Sequence, residues 1–204
     1  MDWDLALSIV GRDSEVVDYY AKLLRSEFRP DTFVDIGANY GTHTALFVSA
    51  GVQCVAFEPN EFCNDYLRRL MEMNHFVAFR LEPIALSETE GEAQLTFPTA
   101  DTWLGTLKED RSDFVGADSE LIAVRAPVRR LDDIVIPGRR CCVKMDVQGS
   151  ELGAICGVRT FLTSRCDFFV FEAETEAERK DLLPEITSIG FSIERLSLDD
   201  LRSS

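Results

Sequence analysis

The sequence predicts an α/β protein: a doubly wound, mostly parallel sheet with helices on both faces and an inserted β segment. Three observations carry this reading. Short and almost continuously apolar stretches at 32–36, 141–146 and 167–172 have the composition of strands buried on both sides. From Thr32 onward such stretches alternate with helical patterns, which is the order of a parallel sheet wound through helices. A glycine-rich turn, 37–41, follows the first strand, and sheets of this kind bind ligands beyond the carboxyl ends of their strands, where strand order reverses.

Taken in order, 14–28 is an amphipathic helix carrying Val16, Val17, Tyr20, Leu23 and Leu24 on one face. Strand 32–36 and turn 37–41 lead into a short helix, 42–50, ended by Gly51. A second strand spans 53–58. Asn60 then caps a helix reaching about Asn74, with Phe62, Tyr66, Leu67, Leu70 and Met71 on one face. A third strand is expected at 77–81. The alternation breaks there: 92–97 is an extra strand after a turn at 89–91, 99–119 is a polar loop carrying Trp103, and 121–131 is extended. It resumes with strand 141–146, a helix from about Ser150, strand 167–172 with Phe168, Phe169 and Phe171 as core residues, helix 176–189, and a closing strand at 191–196. Residues 1–31 form a helical segment ahead of the sheet, suited to covering a substrate pocket, and 32–204 form the ligand-binding domain.

The chain has 204 residues, enough for one domain with a substantial core. Its formal net charge is −15, from 36 acidic and 21 basic residues. Nucleic acid and anionic membranes need clustered Lys and Arg, so neither is an expected partner. The local pairs Arg129-Arg130 and Arg139-Arg140 are expected to be solvated or matched by acids. No apolar run reaches the roughly 18 residues of a membrane helix, and the start is acidic where a secretion signal is basic. A cytoplasmic setting follows. The six cysteines at 54, 63, 141, 142, 156 and 166 form no C-x-x-C pair and read as small buried hydrophobes.

Two segments point to an adenosine-containing cofactor. In Asp35-Ile36-Gly37-Ala38-Asn39-Tyr40-Gly41, the glycines let the backbone approach a ligand and turn into a helix. In Phe57-Glu58-Pro59-Asn60, Glu58 ends the second strand, where a carboxylate accepts from ribose hydroxyls, and Pro59 fixes the turn. The first turn lacks G-x-G-x-x-G spacing and carries an acid, Asp35, which suits a cationic ligand end and repels a pyrophosphate. S-adenosylmethionine is therefore favoured over NAD, with a ligand-free glycine turn as the remaining reading.

A third segment, Lys144-Met145-Asp146-Val147-Gln148-Gly149-Ser150-Glu151, brings in a resemblance. With Val34 to Gly41, Phe57 to Asn60, Ala85-Leu86-Ser87 followed by Gly91, and Val128 to Asp133, it resembles the FkbM family of S-adenosylmethionine-dependent methyltransferases from about Thr32 to Phe191. The resemblance implies a Rossmann-like sheet of the class I methyltransferase type. It also implies methylation of a hydroxyl on a small metabolite such as a sugar, a polyketide or a peptide-type product, with S-adenosylhomocysteine as the other product. By the same resemblance Asp35, Gly37 and Asn39, with Ala38 and Gly41 of the same loop, line the methionine and ribose, and Glu58, followed by Pro59, holds the ribose hydroxyls. Ala85 and Ser87 border the adenine, Asp146 sits at the mouth beside the transferring methyl, and Glu151 opens the next helix. Gln148 stands where the family usually has Glu, keeping an acceptor and losing the charge. The last antiparallel strand of such sheets is expected to be absent or very short, since 197–204 is short and polar.

Methyl transfer is an in-line displacement that requires alignment of the acceptor and removal of its proton. The candidate bases are Asp146, His43, Glu172 and Glu174. Asp146 and Glu172 end neighbouring strands and could instead hold Mg²⁺, although this is not favoured, and no Cys/His cluster offers a zinc site. His43 and His75 have plain alternatives as capping or surface residues, and Trp103 as an anchor for its loop. Two other classes stay open: a NAD-dependent oxidoreductase, and a catalytically silent cofactor-binding module. A homodimer through the N-terminal helix is compatible with the sequence.

Overall fold

The computed structural model describes residues 14–99, 105–107, 120–173 and 175–195. These fall into two compact units, with Asp31–Phe191 as the larger one. In the smaller, helix α1 (Ser14–Arg25) carries Glu15 in its first turn and Lys22 and Arg25 in its last, charges that oppose its dipole.

The larger unit is built on five parallel strands: β1 (Thr32–Ile36), β2 (Gln53–Phe57), β3 (Phe79–Glu82), β7 (Cys141–Met145) and β8 (Cys166–Phe171). Their order in space is β3-β2-β1-β7-β8. All five residues of β1 and of β7 are buried, because the pleat sends alternate side chains into two covered faces. On one face Val34, Ile36, Val55, Phe57, Val143 and Met145 meet Ile155, Val158 and Leu162 of helix α4 (Glu151–Arg165) and Leu182 and Ile186 of α5 (Glu176–Ile189). On the other, Ala56 meets Leu67 and Met71 of α3 (Glu61–Met73), and the Phe33 ring stacks on Phe47 of α2 (Thr42–Ser49) at 3.9 Å between centroids. The sheet is doubly wound, and its order reverses at β1, between β2 and β7.

The inserted segment is a separate three-stranded sheet, ordered β4-β6-β5, made of β4 (Ala85–Leu86), β5 (Gly91–Pro98) and β6 (Leu121–Arg129). Leu95, Phe97 and Ala126 give it a small core of its own. The two-residue β4 is too short to announce itself in the sequence. Beyond β6 the extended stretch ends in a 3₁₀ turn, Leu131–Asp133, where Asp132 accepts from the backbone N–H groups of Thr160 and Phe161. Arg130 pairs with Asp132 and Asp133, and Arg129 with Glu90.

Several expectations need correction. The third strand starts at Phe79 rather than Val77, which is 88% exposed. Phe62 is 56% exposed while Asn64 is buried, because the buried stripe of α3 runs through Cys63, Leu67 and Met71. The apolar β8 is an edge strand whose phenylalanines are half-buried: Phe169 and Phe171 pack on the main core, and Phe168 lies on the opposite side of the pleat. No strand forms over the described part of 191–196. Trp103 and 197–204 lie outside the described residues.

Helix α4 sits very close to the end of β4. A Cβ placed on Gly157 would lie 2.0 Å from the Ser87 carbonyl oxygen. Gly157→Ala should therefore destabilise the protein by about 1–3 kcal/mol, the usual cost of overpacking, read from urea unfolding midpoints at constant m. An unchanged midpoint would show that the helix can back away at no cost.

Candidate functional site

The strand reversal at β1 opens a crevice beyond the carboxyl ends of β1, β2 and β7. The turn after β1 is seated on the turn after β7. The Asp146 N–H donates to the Ile36 carbonyl at 3.0 Å, and a Cβ on Gly37 would stand 1.8 Å from the Asp146 carbonyl oxygen. Only glycine fits there, and its φ of 74° is left-handed as well.

Glu58 holds the opposite wall together. Its Oε2 accepts from the Asn39 N–H and its Oε1 from the Asn60 N–H, each at 2.8 Å. The Asn64 side chain donates to the Glu58 carbonyl at 2.9 Å, and Asn60 caps α3 through the Phe62 N–H. One carboxylate thus ties the glycine loop to the start of α3. Glu58 is only 7% exposed, and burial pushes its carboxyl up to about 7, against the lowering effect of the two backbone N–H donors.

Beneath the glycine loop lies a charged cluster. Asp35 is fully buried and its Oδ2 accepts from the Thr44 hydroxyl at 2.6 Å. Its Oδ1 is 3.5 Å from Nζ of Lys144, its register partner on the neighbouring strand. Lys144 also donates to the Gly37 carbonyl at 2.7 Å and stands 3.7 Å from Asp146 Oδ2. Burial works to lower the Lys144 pKa, but Asp35, Asp146 and Glu58 together hold it above the usual lysine value.

Asp146 reaches out of this cluster, with 27% of its side chain exposed. The Gln148 side-chain amide donates to its Oδ1 at 2.8 Å. Gln148 has a left-handed backbone, φ 52°, followed by Gly149 at 90°. Its carbonyl accepts from the Thr106 hydroxyl at 2.6 Å, and Thr106 exchanges two backbone hydrogen bonds with Thr96 of β5. Glu151 closes the turn by accepting from the Val147 and Gly149 N–H groups, and burial raises its carboxyl pKa.

These walls border a cleft. Gly37, Asn39, Glu58, Pro59, Ala85 and Asp146, all expected at the site, line it. Ile36, Phe57, Ile84, Leu86, Leu95 and Leu107 form an apolar portion, and among the described residues no lysine or arginine lines it. The remaining expected residues sit elsewhere. Asp35 lies sealed under the loop, and Ala38 and Gly41 do not border the cleft. Ser87 borders an adjoining, more open depression. His43 is half-buried on α2 away from the cleft, His75 is exposed at the end of α3, and Glu172 is exposed beyond the edge strand β8. Glu174 lies outside the described residues. Among the described residues no three His, Cys, Asp or Glu side chains group as a metal site would. The cysteines at 54, 63, 141 and 142 are buried and none of the six is in a disulfide; burial raises the thiols of Cys54, Cys63 and Cys142.

Lys144, Thr106 and Asn60 are the parts of this arrangement that sequence reasoning missed as site residues. Lys144 had a signal, a cation inside an otherwise apolar strand. Thr106 had none, since nothing in its neighbourhood marks it as touching a loop 42 residues away.

No helix among the described residues is long and apolar enough to cross a membrane. Among solved structures, a precorrin-6y C5,15-methyltransferase from Geobacter metallireducens shares the fold, with a TM-score of 0.52 at 14% identity over 90% of this chain and 74% of that one. A SAM-dependent O-methyltransferase from Thermotoga maritima matches at TM-score 0.46 and 10% identity, covering 86% of this chain and 49% of that one. The N-terminal domain of human METTL16, in complex with SAH, gives 0.46 at 14%, covering 86% and 58%. The likeness to the first shows the class I methyltransferase fold. No curated protein sequence matches the chain. Residues 35–194 match the methyltransferase FkbM domain, and over that span, most of its length, the chain belongs to this family.

Proposed function

We propose that this domain transfers a methyl group from S-adenosylmethionine to a hydroxyl of a small molecule. The observation that carries this reading is Glu58, a buried carboxylate that opens onto a cleft with no basic side chain among the described residues of its lining. An ionised carboxylate has about four acceptor positions, and two backbone N–H groups leave two for a ribose diol. The apolar stretch formed by Ile84, Leu86, Leu95 and Leu107 suits a flat base, with Ala85 beside it. A dinucleotide pyrophosphate would meet the carboxylates of Glu58 and Asp146 in the lining, which argues against NAD.

When bound, S-adenosylmethionine supplies a methyl group on a positively charged sulfur. Asp146 offers that cationic end a carboxylate, the role expected of Asp35. Asp35 acts one layer below, by holding Lys144 under the Gly37 carbonyl. Of the expected bases within the described residues, Asp146 is the one that lines the cleft, and so the one positioned to hold an acceptor hydroxyl's proton. A small-molecule acceptor fits an acidic cleft on a chain of net charge −15 better than a nucleic acid does.

Calorimetric titration with S-adenosylmethionine, S-adenosylhomocysteine and NAD tests the reading: the two sulfur ligands should bind and NAD should not, and the reverse order would overturn it. Glu58 gives the binding a pH signature. Its folded-state pKa is raised, so its contribution to apo stability is present at low pH and is lost as pH climbs through about 7. The ionised form accepts the ribose hydroxyls, so S-adenosylmethionine affinity should rise through the same range and then level. Glu58→Gln should remove this pH step and weaken binding about 10- to 100-fold, the worth of hydrogen bonds to a charged acceptor. Asp146→Asn should weaken S-adenosylmethionine binding by about tenfold in the same titration, as loss of one charged contact. Wild-type affinity in that variant would remove Asp146 from the cationic end.

A further inference from the structure

We propose that Gln148 is a positioning residue that fixes the Asp146 carboxylate in one orientation facing the cleft, and that Thr106 ties this device to the inserted β segment. The inference deepens the cofactor reading and rests on it only for what Asp146 attracts; the hold on Asp146 stands on geometry alone.

Three contacts carry it. The Gln148 amide reaches back two residues to Asp146 Oδ1 at 2.8 Å, while Lys144 stands on the Oδ2 side at 3.7 Å, so both carboxylate oxygens are constrained. The backbone of Gln148 is left-handed where the side chain makes this reach, a conformation that non-glycine residues seldom adopt. That backbone is anchored by the Thr106 hydroxyl on the Gln148 carbonyl at 2.6 Å. Thr106 is itself fixed by paired hydrogen bonds to Thr96, so the inserted sheet reaches the acid of the cleft through one hydroxyl and one amide.

The hold on Asp146 depends on the residue being an amide. A glutamate in the same place would set a second carboxylate oxygen about 2.8 Å from Asp146. Two carboxylates so close share a proton, and the pair carries a charge that varies with pH. The amide instead donates to Asp146 Oδ1 and brings no second carboxylate beside it. The other charged groups facing it are Lys144 on its own strand, Asp35 on β1 and Glu58 on β2, both acting through Lys144, and Glu151 at the head of α4, which faces Glu178 of α5.

The test compares wild type with Gln148→Glu and Thr106→Val, using S-adenosylmethionine titrations and thermal melts of the ligand-free protein from roughly pH 6 to pH 9. Wild-type affinity should level above about pH 7, where Glu58 is ionised. Gln148→Glu should bind about tenfold more weakly at neutral pH and keep gaining affinity above it, as the shared proton leaves. Its ligand-free melting temperature should fall relative to wild type over the same range, because a carboxyl with a raised pKa loses its stabilising contribution as pH rises. Thr106→Val, nearly the same shape, should weaken binding with no new pH step. Parallel wild-type and Gln148→Glu profiles in both measurements would overturn the proposal. Absence of S-adenosylmethionine binding by wild type, with the new melting step present in Gln148→Glu, would sink the cofactor reading and leave the hold on Asp146 standing.

Discussion

The ammonium of Lys144 is the contact on which the site's geometry depends. It lies inside the central strand β7, almost fully buried, and is shared by the Asp35 carboxylate, the Gly37 carbonyl and Asp146. Such a cluster contributes little net stability, since desolvating each ion costs several kcal/mol that the attraction must offset. Removing one partner alone would cost about 3–5 kcal/mol, because the other charge would stay buried without a counterion. What the cluster supplies is position. It ties the turn after β1 to the turn after β7 across the point where strand order reverses.

The two faces of the sheet divide the work around this point. The α4–α5 face is a continuous apolar core, and its side chains come from every second residue of β1, β2 and β7. The opposite face carries the polar machinery: Asp35, Thr44 and Lys144 share it with Phe33, Phe47, Ala56 and Leu67. Charge can be tolerated there because every ion meets another or a backbone carbonyl. The same pleat alternation that builds the core therefore also delivers the charges to the underside of the glycine loop.

Glu58 and Asp146 give the cleft its electrostatic character, and they reach it by different routes. Glu58 is buried and bonded to two backbone N–H groups, so its ionisation is in balance near neutral pH. Asp146 is partly exposed and is held by an amide and an ammonium. The inserted segment supplies Leu95 and Leu107 to the cleft and Thr106 to the loop beyond Asp146, so it serves as a wall of the site as well as an addition to the fold.

The sequence by itself determined the order of elements, the parallel sheet, the glycine turn, and Glu58 at the end of β2, because hydrophobic period, glycine and caps are local signals. Helix α5 is bounded as expected at Glu176–Ile189 with a Thr175–Glu178 capping box, and Asn60 caps α3. Register and burial are set by contacts distant in sequence, and only the tertiary structure decided them. It placed β8 at an edge, left 191–195 without a strand, and turned Asp35 inward toward a lysine about 110 residues away in sequence. It also left His43 and Glu172 outside the cleft and brought Thr106 to Gln148. A carboxylate's residue type is written in the chain, but whether it faces a ligand or a buried counterion depends on which neighbour the fold brings within a few ångströms.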